Sequence, residues 1–208
     1  MKRILCYGDS NTWGFNPLTK DRFDHETRWT RILASNLGRD YEVIEEGLNG
    51  RTTIWDDPFD SSKNGRTYLA PCLESHSPLD LVTIMLGTND LKKQFHLSAQ
   101  EIANGVGTLV RLVQGSWAGH EGKAPPVLLL APPPATTLSE FADEFEDAQA
   151  KSGQFGRLFY QVAQELRCAY LDTATIIVSS PLDGIHFEAS EHRKLGVAVA
   201  GKVKELIG

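Results

Sequence analysis

Three polar residues of this 208-residue chain have the side chains that nucleophilic acyl transfer requires. Ser10, in the segment Gly8-Asp9-Ser10, offers a hydroxyl nucleophile, and His186 offers a base. Asp183 precedes His186 by three residues, so one turn can bring its carboxylate to the second ring nitrogen of the imidazole. These residues predict a Ser–His–Asp catalytic triad, in which the carboxylate orients the imidazole and stabilises its protonated form.

Acyl transfer also needs hydrogen-bond donors for the oxyanion of the transition state. The candidates are the backbone N–H groups of Ser10 and Gly50 and the side-chain amide of Asn89. Gly50 suits this role because the absence of a Cβ lets a substrate approach the backbone. Each residue also has a simpler interpretation: Ser10 as a helix N-cap, Gly50 as a turn residue, and Asn89 with Asp90 as an Asx turn. The combination favours the catalytic roles.

The other histidines show no spacing typical of a metal site. None belongs to a His-x-x-x-His or Cys-x-x-Cys pattern. We therefore expect no metal ligands and interpret them as surface or loop residues: His25, His76, His96, His120 and His192. The predicted triad chemistry requires no cofactor.

The candidate residues need a scaffold that brings distant loops together, and the chain alternates short apolar runs with longer helical segments. The runs predicted as strands are 3–7, 42–44, 79–86, 127–131 and 169–171. The segments with helical spacing are 28–37, 99–117, 155–166 and 190–207. The polar segments 21–27 and 53–65 are interpreted as loops.

Strands that alternate with helices and read as continuous apolar runs predict a parallel sheet buried on both faces. The expected fold is therefore α/β, a three-layer sandwich with a five-stranded parallel sheet in the flavodoxin-like order 2-1-3-4-5. The length of 208 residues favours a single domain over 1–208. Loops that follow parallel strands meet at one sheet edge, which would gather the candidate residues.

The composition argues against several classes of partner. A net charge of −6 without any basic run should repel nucleic acids and anionic membranes. The three irregularly spaced cysteines argue against a disulfide framework. No apolar stretch is long enough for a signal-peptide core or a membrane span. We expect a soluble cytoplasmic protein that acts on a small molecule.

Four segments together resemble the signature blocks of the SGNH (GDSL-type) hydrolase superfamily, in the order that family uses. They are Gly8-Asp9-Ser10, Gly50 with Gly47, Gly87-Thr88-Asn89-Asp90 and Asp183-Gly184-Ile185-His186. A single motif of this kind occurs by chance, whereas four in order are specific. The resemblance implies the SGNH hydrolase fold, the triad of Ser10, Asp183 and His186, and the oxyanion hole proposed above.

Within that superfamily the chain looks closest to bacterial arylesterases and acyltransferases, through the segments 43–48, 51–53, 78–82, 85–90 and 183–187. This resemblance implies hydrolysis of short-chain esters, such as aryl or alkyl acetates, through an acyl-enzyme. It also implies an acyltransferase side activity and assembly into homo-oligomers. Asn11 departs from the relatives, which usually carry Leu after the serine, and this bears on the acyl pocket.

Aromatic residues near the predicted site have two interpretations. Trp13 and Phe15 closely follow the nucleophile and are either core residues or walls of an acyl pocket. Trp55 and Phe59, in or beside the polar segment 56–66, are candidates for a subunit contact, since exposed aromatics with a polar rim often mark interfaces. The acidic segment 140–147 is interpreted as a solvated face.

Two other functions stay open at this point. A carbohydrate acetyl esterase would use the same triad on acetylated sugars. A non-catalytic flavodoxin-like module would bind an anion at its helix N-termini, although the sequence lacks a Gly-x-x-x-x-Gly-Lys phosphate loop.

Overall fold

The computed structural model describes residues 1–208, which fold around a sheet of five strands. The strands are β1 (Lys2–Gly8), β2 (Tyr41–Gly47), β3 (Leu81–Met85), β4 (Val127–Ala131) and β5 (Ala169–Asp172). The α-helices are α1 (Ser10–Trp13), α2 (Trp29–Leu37), α3 (Gly65–His76), α4 (Ala99–Gln114), α5 (Ala148–Ser152), α6 (Phe155–Leu166) and α7 (Ala189–Ile207).

The central strands are apolar because both of their faces are buried. Along β1, Ile4 and Cys6 contribute to one core cluster, and Leu5 and Tyr7 contribute to the other. Successive side chains of a strand point to opposite faces, so a strand between two helical layers requires a continuous apolar run. This requirement explains the short apolar runs of the sequence.

All strand pairs are parallel, and the sheet order is β2-β1-β3-β4-β5. Helices α2 and α7 pack together with one face of the sheet, and α3, α4 and α6 pack with the other. The predicted α/β three-layer sandwich, with its order 2-1-3-4-5, is confirmed. The carboxyl ends of the strands lie along one edge of this sheet, where open α/β folds bind their ligands.

Helix α3 is the main element that the sequence did not predict. Its interior contains Pro71, and its exposed face leaves only a weak apolar periodicity. The helix begins because Asn64 caps it, with the side-chain oxygen accepting from the backbone N–H groups of Arg66 and Thr67. In contrast, α4 ends earlier than predicted, because the chain leaves the helix at Gly115.

The three cysteines are free thiols: Cys6 and Cys72 are buried, and Cys168 is half-buried. This agrees with the expectation that the chain has no disulfide framework. None of the helices combines the length and the apolar character that crossing a bilayer would need.

The contact between α2 and α7 depends on Gly196. A Cβ atom at this position would lie 2.6 Å from the Trp29 carbonyl oxygen and 2.7 Å from the Ile32 Cβ. We expect Gly196→Ala to push the helices apart and to lower the free energy of unfolding by roughly 1–3 kcal/mol, measured by urea denaturation. Gly201→Ala is the control, because a Cβ there has no neighbour within 4 Å. It should be neutral or stabilise the helix by up to about 1 kcal/mol. Equal effects of the two substitutions would contradict this account.

Candidate active site

Ser10 lies at the sheet edge, immediately after β1. Asp9 caps the one-turn helix α1 by accepting a hydrogen bond from the Asn11 N–H at 2.9 Å, and Gly14 ends the turn with a φ of 93°. Ser10 is therefore the first residue of this helix, not its N-cap. Its side chain is buried at the wall of a small cavity.

A continuous chain of hydrogen bonds joins Ser10 to two residues of the loop before α7. The Ser10 Oγ lies 3.0 Å from the His186 Nε2, and the His186 Nδ1 lies 2.7 Å from the Asp183 Oδ2. The other carboxylate oxygen of Asp183 accepts from the backbone N–H groups of Ile185 and His186, each at 2.9 Å. This is the geometry that a nucleophile, its base and an orienting carboxylate require.

Charge and packing hold the imidazole of His186 in place. Burial of Asp183 raises its pKa, but the hydrogen bonds and charge of His186 lower it by more, so the pKa lies below its ordinary value. Asp183 therefore remains a carboxylate at neutral pH. The ring of Phe15 packs against the imidazole with 4.2 Å between centroids, and the ring of Phe141 lies edge-on at 5.9 Å.

The three residues that carry the predicted oxyanion donors, Ser10, Gly50 and Asn89, line one cavity. Gly50 has a φ of 79°, a left-handed conformation that favours glycine. The backbone N–H groups of Ser10 and Gly50 donate to no other group of the chain. The Asn89 side-chain amide donates to the Arg51 carbonyl oxygen at 3.1 Å, which orients the amide at the cavity wall. The arrangement can place several N–H donors around one oxygen atom.

Two buried charged residues brace the loops that carry these donors. The Arg51 guanidinium donates to the Gly8 carbonyl at 2.8 Å and lies 4.2 Å from the centroid of the Tyr7 ring. The Asp90 carboxylate accepts from the Thr53 N–H at 3.0 Å and also from the Thr53 hydroxyl. Burial raises the pKa of Asp90 to about 6. The ends of β1, β2 and β3 are thereby joined.

These bracing roles were not found from the sequence. Asp90 was interpreted as part of an Asx turn, whereas its carboxylate bonds to Thr53 in a different loop. Arg51 carried no predicted role, although Arg51-Thr52-Thr53 and Asn89-Asp90 both belong to the segments of family resemblance. Only that resemblance could have drawn attention to them.

The cavity beside Ser10 has a volume of about 160 Å³ and mostly apolar walls. Its lining residues are Ser10, Phe15, Asn49, Gly50, Asn89, Lys92, Phe141, Phe145, Ile185 and His186. Two of these residues, Phe141 and Phe145, belong to the acidic segment 140–147, which was predicted from the sequence to be a solvated face. A pocket of this volume has room for a short acyl group.

Only one of the three residues that closely follow Ser10 in the sequence, Asn11, Trp13 and Phe15, reaches the cavity. Phe15 lines the cavity, whereas Trp13 and Asn11 do not. The buried Asn11 side chain instead donates to the Ile185 carbonyl at 3.3 Å, and so links the nucleophile turn to the loop that carries His186. Asn11 therefore helps to position the loop that carries His186 and does not form part of the pocket wall.

The interpretation of the remaining histidines as surface or loop residues is wrong for His192. This residue is fully buried on α7, and its Nδ1 accepts from the Trp29 N–H at 3.2 Å. Burial lowers the pKa of His192 to about 3, so the ring stays neutral at ordinary pH. His76 lies in the last turn of α3 and is half-buried. Its side chain packs toward β2, as described below.

The chain is similar to a family of acylhydrolases and to esterases of known structure. The GDSL-like lipase/acylhydrolase family matches residues 6–194. The structure of the M. smegmatis aryl esterase is 43% identical, with a TM-score of 0.96 over 100% of both chains. Est24, a carbohydrate acetylesterase from Sinorhizobium meliloti, is 42% identical, with a TM-score of 0.96 over 100% of both chains. A search of curated proteins finds no significant sequence match.

The chain belongs to the GDSL-like lipase/acylhydrolase family. The predicted membership of the SGNH hydrolase superfamily is confirmed, and the protein is a carboxylic ester hydrolase. The non-catalytic anion-binding module is therefore set aside.

Asn89 provides a test of the oxyanion donors. The loss of one such donor typically lowers kcat about 10²–10³-fold, because the donor acts mainly on the transition state. We expect Asn89→Ala to show this loss with little change in KM, measured with an aryl acetate. Asn104→Ala, on the exposed side of α4, is the control and should retain full activity. A raised KM with an unchanged kcat would instead make Asn89 a ground-state contact.

Proposed function

We propose that this enzyme hydrolyses short-chain carboxylic esters, such as aryl or alkyl acetates, through an acyl-enzyme formed on Ser10. The observation that carries the proposal is the hydrogen-bond chain from Asp183 through His186 to Ser10, which ends in a cavity of about 160 Å³. The small, mostly apolar cavity supports a short acyl group.

In the first half of the reaction, the Ser10 Oγ attacks the ester carbonyl while the His186 Nε2 accepts the hydroxyl proton. The negative charge that develops on the carbonyl oxygen is stabilised by the N–H groups of Ser10 and Gly50 and by the Asn89 amide. Asp183 holds the imidazole in the required tautomer and stabilises its positive charge. The intermediate then collapses, and His186 returns the proton to the departing alcohol.

In the second half, a water molecule attacks the acyl-Ser10 ester. His186 accepts a proton from this water, and the same donors stabilise the second oxyanion. Collapse releases the carboxylic acid, and the proton passes from His186 back to the Ser10 oxygen. The acyl-enzyme thus divides one difficult substitution into two easier ones.

We also propose acyl transfer to alcohols or peroxide, in competition with water, and assembly into homo-oligomers. Apolar walls beside the acyl-enzyme lower the local access of water, which supports transfer. Phe59, which is 86% exposed among polar residues, supports a contact between copies. Trp55 does not, since it packs against the core.

Two further expectations remain proposals. The chain forms a single domain over 1–208, which the two core clusters on either side of one sheet support. A cytoplasmic location also remains a prediction, and the three free cysteines support it, because reducing compartments keep thiols unpaired.

A carbohydrate acetylesterase is the second candidate function. A groove lined mostly by polar and charged residues, here called the polar groove, favours it. This groove, of about 430 Å³, shares Gly50 and Lys92 with the acyl cavity. Its other lining residues are Asp57, Phe59, Asp60, Lys63, Gln94 and Glu144. The exposed ring of Phe59 offers a flat apolar face to a sugar, and the surrounding carboxylates and amide can bond to sugar hydroxyls. The alcohol part of an ester would occupy this groove.

Covalent labelling tests the proposed nucleophile. An organophosphonate should add one phosphonyl group to the wild-type protein and to Ser190→Ala, an exposed control at the start of α7. Ser10→Ala should remain unlabelled, and its kcat should fall roughly 10⁴–10⁶-fold. Mass spectrometry and aryl acetate hydrolysis give the two readouts. Labelling or near-normal turnover of Ser10→Ala would refute the proposal.

Phe59 distinguishes the two candidate substrates. If sugars bind in the polar groove, Phe59→Ala should lower kcat/KM for acetylated xylo-oligosaccharides roughly 2- to 10-fold, the effect of losing one aromatic contact. Its kcat/KM for an aryl acetate should change less. Trp117→Ala, which removes an 84% exposed ring that does not line the groove, is the control. Light scattering on the same variants reports any change of subunit number, and equal losses on both substrates would exclude the sugar site.

A further inference from the structure

A cluster of potential metal ligands joins β2 to α3, outside the cavity that contains Ser10. It consists of Glu46 on β2 and of Cys72 and His76 on α3. One ligand atom of each residue lies within 4.8 Å of the other two. The His76 Nε2 already lies 2.9 Å from the Glu46 Oε1. None of the three residues lines the acyl cavity.

Helical geometry explains why two of these side chains converge. Cys72 and His76 are four residues apart, so they lie on the same face of α3, one turn from each other. The His-Glu-x-x-His motif of zinc enzymes uses the same spacing. Parallel pairing with β1 places Glu46 of β2 opposite Tyr7, one residue before both strands end. The strand thus brings the third donor to the helical pair.

The donor set has the chemistry of a zinc-group site. Proteins bind Zn²⁺ through three types of ligand, thiolate, imidazole and carboxylate, at metal–ligand distances of about 2.0–2.3 Å. Ligand atoms of a tetrahedral site at these distances lie roughly 3.3–3.7 Å apart. The His76 and Glu46 atoms, now 2.9 Å apart, would therefore separate slightly, and the more distant atoms, all within 4.8 Å, would approach. The side chains of His76 and Glu46 are 27% and 18% exposed, so an ion can enter from their side.

We propose that Glu46, Cys72 and His76 form a binding site for a divalent cation of the zinc type, with water as the fourth ligand. On binding, the Cys72 S–H bond breaks, its proton passes to solvent, and the sulfur lone pair forms the bond to the metal. No atom changes oxidation state. The site would fasten β2 to α3 and leave Ser10 untouched.

Charged and titratable groups surround the buried thiol of Cys72. The other titratable or charged groups that influence this thiol are Glu46, Arg51, Tyr7 and Tyr68, and His76 completes the cluster. The Arg51 guanidinium is directed to the carbonyl oxygens of Gly8 and Glu46, which leaves the Glu46 carboxylate available for a cation.

The sequence does not reveal this site. A Cys–His pair that is completed by one residue of a distant strand matches neither a His-x-x-x-His nor a Cys-x-x-Cys pattern. Helix α3 itself was not predicted, so the common face of Cys72 and His76 could not be recognised.

Cobalt titration of the full chain tests the proposal. One equivalent of Co²⁺ should bind and produce a thiolate-to-cobalt charge-transfer band, release one proton in weakly buffered solution at pH 8, and raise the Tm. Zn²⁺ should abolish the band by displacement. The band should be absent in Cys72→Ser and strongly weakened in His76→Gln and Glu46→Gln. Cys168→Ser, which removes the half-buried thiol outside the cluster, should retain it.

The opposite results overturn the site. If millimolar Co²⁺ produces no band with the wild-type protein, the cluster is only a hydrogen-bonded Glu46–His76 pair beside a thiol. A band that persists in Cys72→Ser, or disappears in Cys168→Ser, places the metal elsewhere. Circular dichroism establishes that each variant is folded. If Cys72→Ser unfolds, His76→Gln replaces it as the test, because the His76 side chain is partly exposed and its change disturbs the core less. Because Ser10→Ala should bind Co²⁺ like the wild type, the result does not depend on the esterase mechanism.

Discussion

The hydrogen bond between the buried Asp183 carboxylate and the His186 ring is the interaction on which the active site depends. A buried carboxylate is costly unless its oxygens are bonded, and here two backbone N–H groups and the imidazole satisfy them. The same bonds keep Asp183 ionised and direct the other ring nitrogen toward Ser10. The loop before α7 therefore positions the proposed base and sets its tautomer together.

The sheet makes this interaction useful by bringing four distant loops to one edge. Hydrogen bonds also link these loops to each other. Arg51 donates to a carbonyl oxygen at the end of β1, and the Asp90 carboxylate accepts from Thr53. Arg51 and Asp90 are both buried charges. Two hydrogen bonds to carbonyl oxygens and the ring of Tyr7 offset part of the loss of hydration of Arg51, whose Nε has no partner. Thr53 bonds to both carboxylate oxygens of Asp90. These contacts hold the proposed oxyanion donors in place, as preorganised stabilisation of a transition state requires.

Two cavities meet at Gly50 and Lys92, and the proposed function divides the substrate between them. In this proposal the apolar cavity receives the acyl group and the polar groove receives the alcohol part. The aryl ester and acetylated sugar candidates would then differ in the occupant of the groove, with the same proposed chemistry at Ser10.

Local pattern determined much of this protein. Short apolar runs identified the five strands, most clearly β1, β3 and β4, because strands covered on both sides must be apolar. Motif spacing identified Ser10, Gly50, Asn89, Asp183 and His186 as the candidate site. Tertiary structure alone decided the walls of the cavity, the bracing by Arg51 and Asp90, and the Glu46–Cys72–His76 cluster. Phe141 and Phe145 lie in an acidic segment whose sequence indicates solvent exposure, and only packing against His186 and the core buries part of it. Such features depend on contacts between residues far apart in the chain, which no local periodicity encodes.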